Sequence, residues 1–295
     1  MKSSLTLRAL TLAGLAISNP LAARADVRLP AIFSEHAVLL SGAAVPVWGW
    51  ADAGEKVEVT FAGQTKSATP DANGKWMLKL DALKADAKPQ ELTVKGKNTV
   101  VVKDVLVGEV WLGSGQSNMA MTVSHAKDFA TEQAASNLPE MRMFTEISGA
   151  SEKAEETGKG VWLVCSPQTV GVFSATLFFC GREIHKSLGV PVGLVHSSVG
   201  GTPIESWISP EAQAASPELK AFFEMAKQTE AKFDAAAAKA KYETDLAKWK
   251  EAAMALKAEG KPVPKAPGDP VALRMRKGNV GGLFKIGRAS CRERV

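Results

Sequence analysis

The chain has 295 residues, room for one small domain beside a larger one, and 45% of them are hydrophobic, which fits a globular protein rather than a disordered chain. The formal net charge of +5 comes from the two ends: Lys2, Arg8 and Arg24 supply three of the charges, and Arg288, Arg292 and Arg294 against Glu293 supply the other two. The body of the chain is neutral, so bulk charge gives no ground for nucleic-acid binding or for attachment to an anionic membrane.

Residues 1–25 read as a signal peptide. Lys2 and Arg8 make a positive start, 9–17 is an apolar stretch too short to span a bilayer, and Ala23-Arg24-Ala25 is an A-x-A cleavage site. The mature protein is expected to begin at Asp26 and to be exported, periplasmic or extracellular, with no membrane association after cleavage. At the other end, residues 286–295 resemble translated sequencing-adapter DNA, and on that reading the natural frame continues past about Phe284. Of the three cysteines, Cys291 falls in that tail. Cys165 and Cys180 could pair in an oxidising compartment. Alternatively Cys180, in the apolar run 177–180, could be a buried free thiol.

Residues 26–104 are rich in strand signals. VPVWGW at 45–50 is β-prone, and KVEVTF at 56–61 alternates polar and apolar, the period of a strand with one buried face. Asp71-Ala72-Asn73-Gly74 is a turn signal, followed by a strand at 76–80 and further short strands at 92–94 and 99–102. Such spacing predicts a small β-sandwich. From Val105 the pattern changes. Residues 105–112 suit a strand buried on both faces. A second strand is expected around 142–144, an amphipathic helix over 173–188 stopped by Gly189, and a third strand over 190–195. Strands alternating with helices predict an α/β domain with a parallel sheet over 105–285. Within it, 211–259 is rich in Ala, Lys and Glu and predicts a long helix or helical hairpin as an insert. The Pro-rich run 261–270 ends that insert.

Two segments could carry chemistry. GSGQSN at 113–118 follows a predicted buried strand, so Ser117 stands at the C-terminal edge of the sheet, where open α/β sheets bind ligands. The glycines permit a tight turn that exposes a hydroxyl, and a helix starting near Ser124 would favour negative charge nearby. SSVGGT at 197–202 also follows a predicted strand. Gly200 and Gly201 let backbone N–H groups approach an oxyanion unobstructed. Taken alone, each segment reads first as an ordinary turn, the serine as a cap and the glycines as a Gly-rich loop. Trp48, Trp50 and Trp76 are either core residues or a platform for sugar rings.

Together these residues resemble a known family. Leu29-Pro30, Phe33-Ser34, His36, 45–50, 54–57 and 74–76 look like the N-terminal sandwich of sialate O-acetylesterases. DVLVGEVW at 104–111 leading into SGQSNM at 114–119 looks like the family's nucleophile segment, and GGTPIESW at 200–207 like its second block. The resemblance runs from about Leu29 to Ile208. It implies a β-sandwich followed by an incomplete SGNH-type α/β domain, and a serine hydrolase that removes acetyl groups from sugars. It implies Ser117 as nucleophile, an oxyanion site made by the N–H of Ser117 and that of Gly200 or Gly201, and Asn118 and Gln116 as further polar groups at the site. The substrate implied is an acetylated carbohydrate; no metal or organic cofactor is implied. An acetylxylan-type deacetylase, or a non-catalytic carbohydrate-binding protein using the tryptophans, are the alternatives.

The family's catalytic His and Asp lie in a C-terminal segment that does not appear here, although GGLF at 281–284 resembles the start of the family's next segment. The chain is therefore expected to be weakly active at best, because a serine hydroxyl is a poor nucleophile without a base. Of the four histidines, His36 belongs to the sandwich pattern, His125 is placed on the helix after Ser117, and His185 falls on the 173–188 helix. His196 alone is expected near the pocket.

Overall fold

The computed structural model describes residues 26–147 and 157–271; the expected signal peptide, GGLF at 281–284 and the 286–295 tail with Cys291 lie outside the described residues. Short strands with period-2 burial build the first part. β2 (Val45–Trp50) pairs antiparallel with β5 (Lys75–Leu80). β3 (Val57–Phe61), β4 (Gln64–Ala68), β6 (Asp86–Lys95) and the start of β7 (Thr99–Gly115) form an antiparallel ladder. Val57, Val59 and Phe61 point inward from β3, and Trp76, Leu78 and Leu80 from β5, into one shared apolar core. β4 lacks any apolar alternation. It forms as an edge strand through its hairpin register with β3 rather than by burial of its own.

β7 then changes partners. A two-residue step from Gln90 to Leu92 on β6 faces a three-residue step from Val102 to Val105 on β7. The extra residue makes a β-bulge, and Asp104 within it has φ +52°, a state that Asp adopts more readily than a β-branched residue does. Past the bulge, β7 pairs in parallel with β1 (Val38–Leu40) and then with β10 (Val192–Ser198). β10 pairs in parallel with β8 (Leu138–Thr145), and β9 (Trp162–Cys165) closes antiparallel on β8. The result is a mixed α/β structure around an eight-stranded sheet in the order β4-β3-β6-β7-β10-β8-β9, with β1 on β7.

Alternation sorts the parallel strands between two cores. Met141, Met143, Val192 and Leu194 pack beneath α3 (Ala175–Leu188) with Leu177 and Phe178. Phe144 and Val195 point the other way and join the core of the first part. Each such fully buried side chain contributes about 1.5–3 kcal/mol. Helix α3 starts at Ala175, two residues later than its periodicity suggests, because Ser174 caps it by accepting the Leu177 N–H at 3.3 Å. Gly189, at φ +63°, ends it as expected.

Two sequence expectations need correction, on Cys180 and on the run 105–112, and one alternative is resolved, on Trp76. Cys180 is exposed, not buried, because the inward face of α3 runs through Ala175, Leu177, Phe178 and Gly181 and leaves position 180 on the opposite side. Both Cys180 and the buried Cys165 are free thiols, and burial pushes the Cys165 thiol up to about 12 against an opposing pull from Arg182. The run 105–112 is buried on both faces only at its start. Trp111 and Leu112 are 45% and 49% exposed, because the β1 ladder stops at Gly108 and, among the described residues, β10 is the only further partner. Trp76 is 3% exposed and belongs to the core, so it presents no face for stacking on a sugar. The 211–259 stretch is helical: α4 (Pro210–Ala214), α5 (Lys220–Ala231) and α6 (Ala235–Ala258), the last with no buried residue and with Asp234 accepting the Ala237 N–H as its cap.

One charged cluster ties the two parts together. Arg142, 5% exposed on β8, donates twice to Asp104, at 2.6 and 3.1 Å, and once to the Pro139 carbonyl at 2.8 Å. His36 Nδ1 lies 2.5 Å from the same carboxylate. Burial alone would raise the Asp104 carboxyl, but hydrogen bonds and charge from Arg142 and His36 outweigh it and hold it below the ordinary carboxylate value. Asp104→Asn keeps the side-chain shape and tolerates the positive φ, yet leaves a buried guanidinium without its counter-charge. Denaturant titration at neutral pH should show a loss of about 3 kcal/mol. In the parent this contribution is fully present above about pH 4 and lost as the pH falls through the lower folded value; the variant should lack that acid-side component.

Candidate active site

The ends of three parallel strands, at Gly115, Thr145 and Ser198, define one edge of the sheet. The register places Ser198 opposite Gly115, so the segments leaving β7 and β10 emerge side by side. Gly115 has φ +141°, which L side chains rarely adopt, and there the chain turns out of the strand. α1 (Ser117–Ala120) follows at once as a single turn, with Ala120 N–H on the Gln116 carbonyl at 2.8 Å and Met121 N–H on the Ser117 carbonyl at 2.9 Å. The helix expected from Ser124 is absent; Val123–His125 is a 3₁₀ turn, and α2 (Phe129–Ala134) comes later. The turn at Ser117 is strapped to the start of α3. Thr176 Oγ1 donates to the Asn118 carbonyl at 2.9 Å, and Ala175 N–H to the Met121 carbonyl at 2.8 Å.

Four of the five sequence-chosen residues meet here. The Ser117 hydroxyl donates to Gln116 Oε1 at 2.8 Å. The Gly201 N–H is shared between Ser117 Oγ and Gln116 Oε1, each at 3.3 Å. A Cβ on Gly200 would stand 3.7 Å from Ser117 Oγ. Asn118 is next in the chain, and its recorded bond is through its backbone carbonyl to Thr176. The Ser117 N–H sits in the first turn of α1, where helical geometry provides no carbonyl partner. The loop carrying the glycines is braced from within: Val199 N–H donates to the Gly115 carbonyl at 3.1 Å, Thr202 Oγ1 to the Val199 carbonyl at 2.6 Å, and Trp207 Nε1 to Thr202 Oγ1 at 3.0 Å. Gln116, Ser117 and Asn118 face solvent, so a substrate reaches the hydroxyl without any opening of the fold.

None of the four histidines bonds to Ser117 among the described residues. His36 is on Asp104, His125 Nδ1 is 2.7 Å from Thr122 Oγ1, and His185 Nδ1 is 2.8 Å from the Val190 carbonyl. His196 Nε2 is 2.5 Å from Ser198 Oγ, a pair that sequence reading missed although two residues apart on a strand share a face. Burial holds the His196 imidazole below its ordinary value, partly offset by the Met119 backbone. Among the described residues no cluster of three or more His, Cys, Asp or Glu side chains could hold a metal ion. The arrangement can therefore present a solvent-facing hydroxyl next to two backbone N–H groups, the elements of acyl transfer that stabilise a developing oxyanion.

Comparison with known proteins agrees with this chemistry. A family described as "Carbohydrate esterase, sialic acid-specific acetylesterase" matches residues 107–254. Sialate O-acetylesterase of Rattus norvegicus is 34% identical over 188 residues, covering 57% of this chain and 35% of the relative; that of Homo sapiens is 32% identical over 184 residues, covering 55% and 35%. The match thus spans about a third of the length of these curated relatives. The crystal structure of a carbohydrate acetylesterase from Xanthomonas citri superposes with a TM-score of 0.62 at 34% identity, covering 65% of this chain and 45% of that one.

Gly200 gives a steric test of where an acyl group would approach. Unlike Gly201, it is not in the left-handed region, and an added methyl would find ordinary van der Waals contact with Ser117. Gly200→Ala should keep its stability within about 0.5 kcal/mol of the parent by thermal unfolding. The same methyl stands over the hydroxyl, so modification of Ser117 by a phosphonate should slow about tenfold or more. An unchanged rate would place the approach elsewhere.

Proposed function

The chain belongs to the carbohydrate esterase family of sialic acid-specific acetylesterases, and we propose that it hydrolyses acetyl esters on sugars with Ser117 as nucleophile. The observation that carries this reading is the Gly201 N–H aimed at Ser117 Oγ from 3.3 Å across the sheet edge. The reading takes 26–104 as a β-sandwich and 105–285 as a partial SGNH-type α/β domain, and the mixed α/β structure with its parallel strands supports it. The relatives, sialate O-acetylesterases and a carbohydrate acetylesterase, support an acetylated sugar as the substrate class; an acetylxylan-type substrate is the alternative.

In this mechanism Ser117 Oγ attacks the acetyl carbonyl carbon, and the carbonyl oxygen becomes an oxyanion. The N–H groups of Ser117 and of Gly201 or Gly200 hold that oxyanion. The ester C–O bond to the sugar then breaks, and the hydroxyl proton leaves with the sugar oxygen. Water attacks the acetyl-enzyme, acetate departs and Ser117 regains its proton. At rest the Gly201 N–H is occupied by Ser117 Oγ and Gln116 Oε1, so the substrate oxygen displaces them. Gln116 keeps the hydroxyl in place but is no base, because a neutral amide oxygen does not take up a proton at neutral pH. Among the described residues Ser117 Oγ bonds to Gln116 and to the Gly201 N–H and to no histidine, and without a base on Ser117 turnover is expected to be weak. The leader-like residues 1–25 support export as part of the same proposal.

A fluorophosphonate should slowly label Ser117 and no other serine, as read by peptide mapping, and Ser117→Ala should abolish the label. Acetate release from acetylated sialic acid should run at least about a hundredfold slower than in a longer product of the same frame that supplies a His–Asp pair, the usual worth of a general base. Labelling at another residue, or none in either protein, would sink the assignment.

A further inference from the structure

A buried histidine stands directly behind the loop that faces Ser117. His196 is 8% exposed and lies on the α3 side of β10, edge-on to Phe173 with ring centroids 5.7 Å apart. Its Nε2 contacts Ser198 Oγ at 2.5 Å, while its Nδ1 is buried with no hydrogen-bond partner. A buried polar atom left unpaired costs about 1–3 kcal/mol. Leu194, the preceding position on the same face of β10, and Phe173, whose ring lies against the imidazole, are apolar, and an apolar residue at 196 would avoid that cost. Packing among apolar neighbours therefore does not account for the imidazole; its polar contact with Ser198 does.

That contact falls at a sensitive place. Ser198 is the last residue of β10, opposite Gly115, and the next three residues carry the loop to Gly201. Val199 N–H is tied to the Gly115 carbonyl, Gly200 packs on Ser117, and Gly201 N–H reaches Ser117 Oγ. Two glycines in succession make this loop intrinsically pliable, and the two Gly201 bonds, at 3.3 Å, are long. A side-chain anchor at Ser198 adds to the backbone tie of Val199 N–H on the Gly115 carbonyl and so holds the start of the loop at a second point.

We propose that His196 and Ser198 are a positioning pair: the imidazole holds the Ser198 hydroxyl, and through it the 199–201 loop keeps the Gly201 N–H trained on Ser117. Neither residue touches the substrate or moves its proton. The inference rests on the Ser117 reading for its functional meaning, but its structural content stands by itself.

The test uses the full chain, isotopically labelled, with two readouts kept apart. The Gly201 amide is followed by NMR, and Ser117 labelling by fluorophosphonate. His196→Leu and Ser198→Ala should each raise water exchange of the Gly201 amide about fivefold, the loss of one weak hydrogen bond. Each should also lower the maximal labelling rate while leaving the half-saturating phosphonate concentration unchanged. His196→Gln, which keeps a group able to bond Ser198, should restore both to within about twofold of the parent. If His196→Leu fails to fold, Ser198→Ala carries the test. Unchanged Gly201 exchange in folded variants, or no rescue by His196→Gln, overturns the proposal. A parent that never labels at Ser117, with Gly201 exchange still responding, would remove the nucleophile reading and leave the positioning pair in place.

Discussion

Everything at the site depends on the register of one parallel ladder. β10 runs beside β7 from Val192 opposite Glu109 to Ser198 opposite Gly115. This pairing brings a serine leaving one strand and two glycines leaving the other to the same level. Because side chains alternate with a period of two, a slip of one residue would turn His196 and Ser198 to the opposite face and carry Gly201 away from Ser117. Burial specifies the register from both sides: Val192 and Leu194 fit under α3, while Val195 joins the opposite core and Gly193 leaves space for Val38 and Trp162.

The ladder is in turn held by the bulge at Asp104. β7 pairs antiparallel with β6 as far as Val107 and in parallel with β1 from Leu106, and the extra residue at the bulge lies just before this second role begins. The positive φ at that residue costs backbone energy. The carboxylate it presents is gripped by Arg142 from β8 and by His36 from the segment before β1, so the strained residue is also the most heavily bonded one in the strand. A stiff β7 delivers Ser117 at a defined place; a β7 free to flex at the bulge would not.

Much of this was legible in the sequence because it is local. β-prone and period-2 runs marked β2, β3 and β5, the Asp-Ala-Asn-Gly signal marked the turn before Lys75, and Gly189 marked the end of α3. Pattern places the two Gly-containing blocks only at strand ends; the resemblance of those blocks to the esterase family singles out Ser117, Gly200 and Gly201. What escaped was set by tertiary contact. β4 is polar and exists through its hairpin register, and β1 is only three residues long. β9 forms by pairing with β8, while Trp162 Nε1 bonds the Ile32 carbonyl across 130 residues of sequence. The Asp104 cluster joins positions 38 and 68 residues apart, beyond the reach of any sequence window. Cys180 was misjudged because an apolar neighbourhood in sequence says nothing about which side of a helix a residue occupies.

At the edge of the sheet the Gly201 N–H stands on Ser117 Oγ, and the proposed chemistry rests on that juxtaposition. The most direct test is a crystal structure of the chain with a phosphonate bound covalently to Ser117. The account predicts a phosphonyl oxygen within hydrogen-bond distance of the N–H groups of Ser117 and of Gly201 or Gly200, with Gln116 Oε1 displaced from Gly201. An adduct whose oxygens all point to solvent, with the Gly201 N–H still on Gln116, would contradict it.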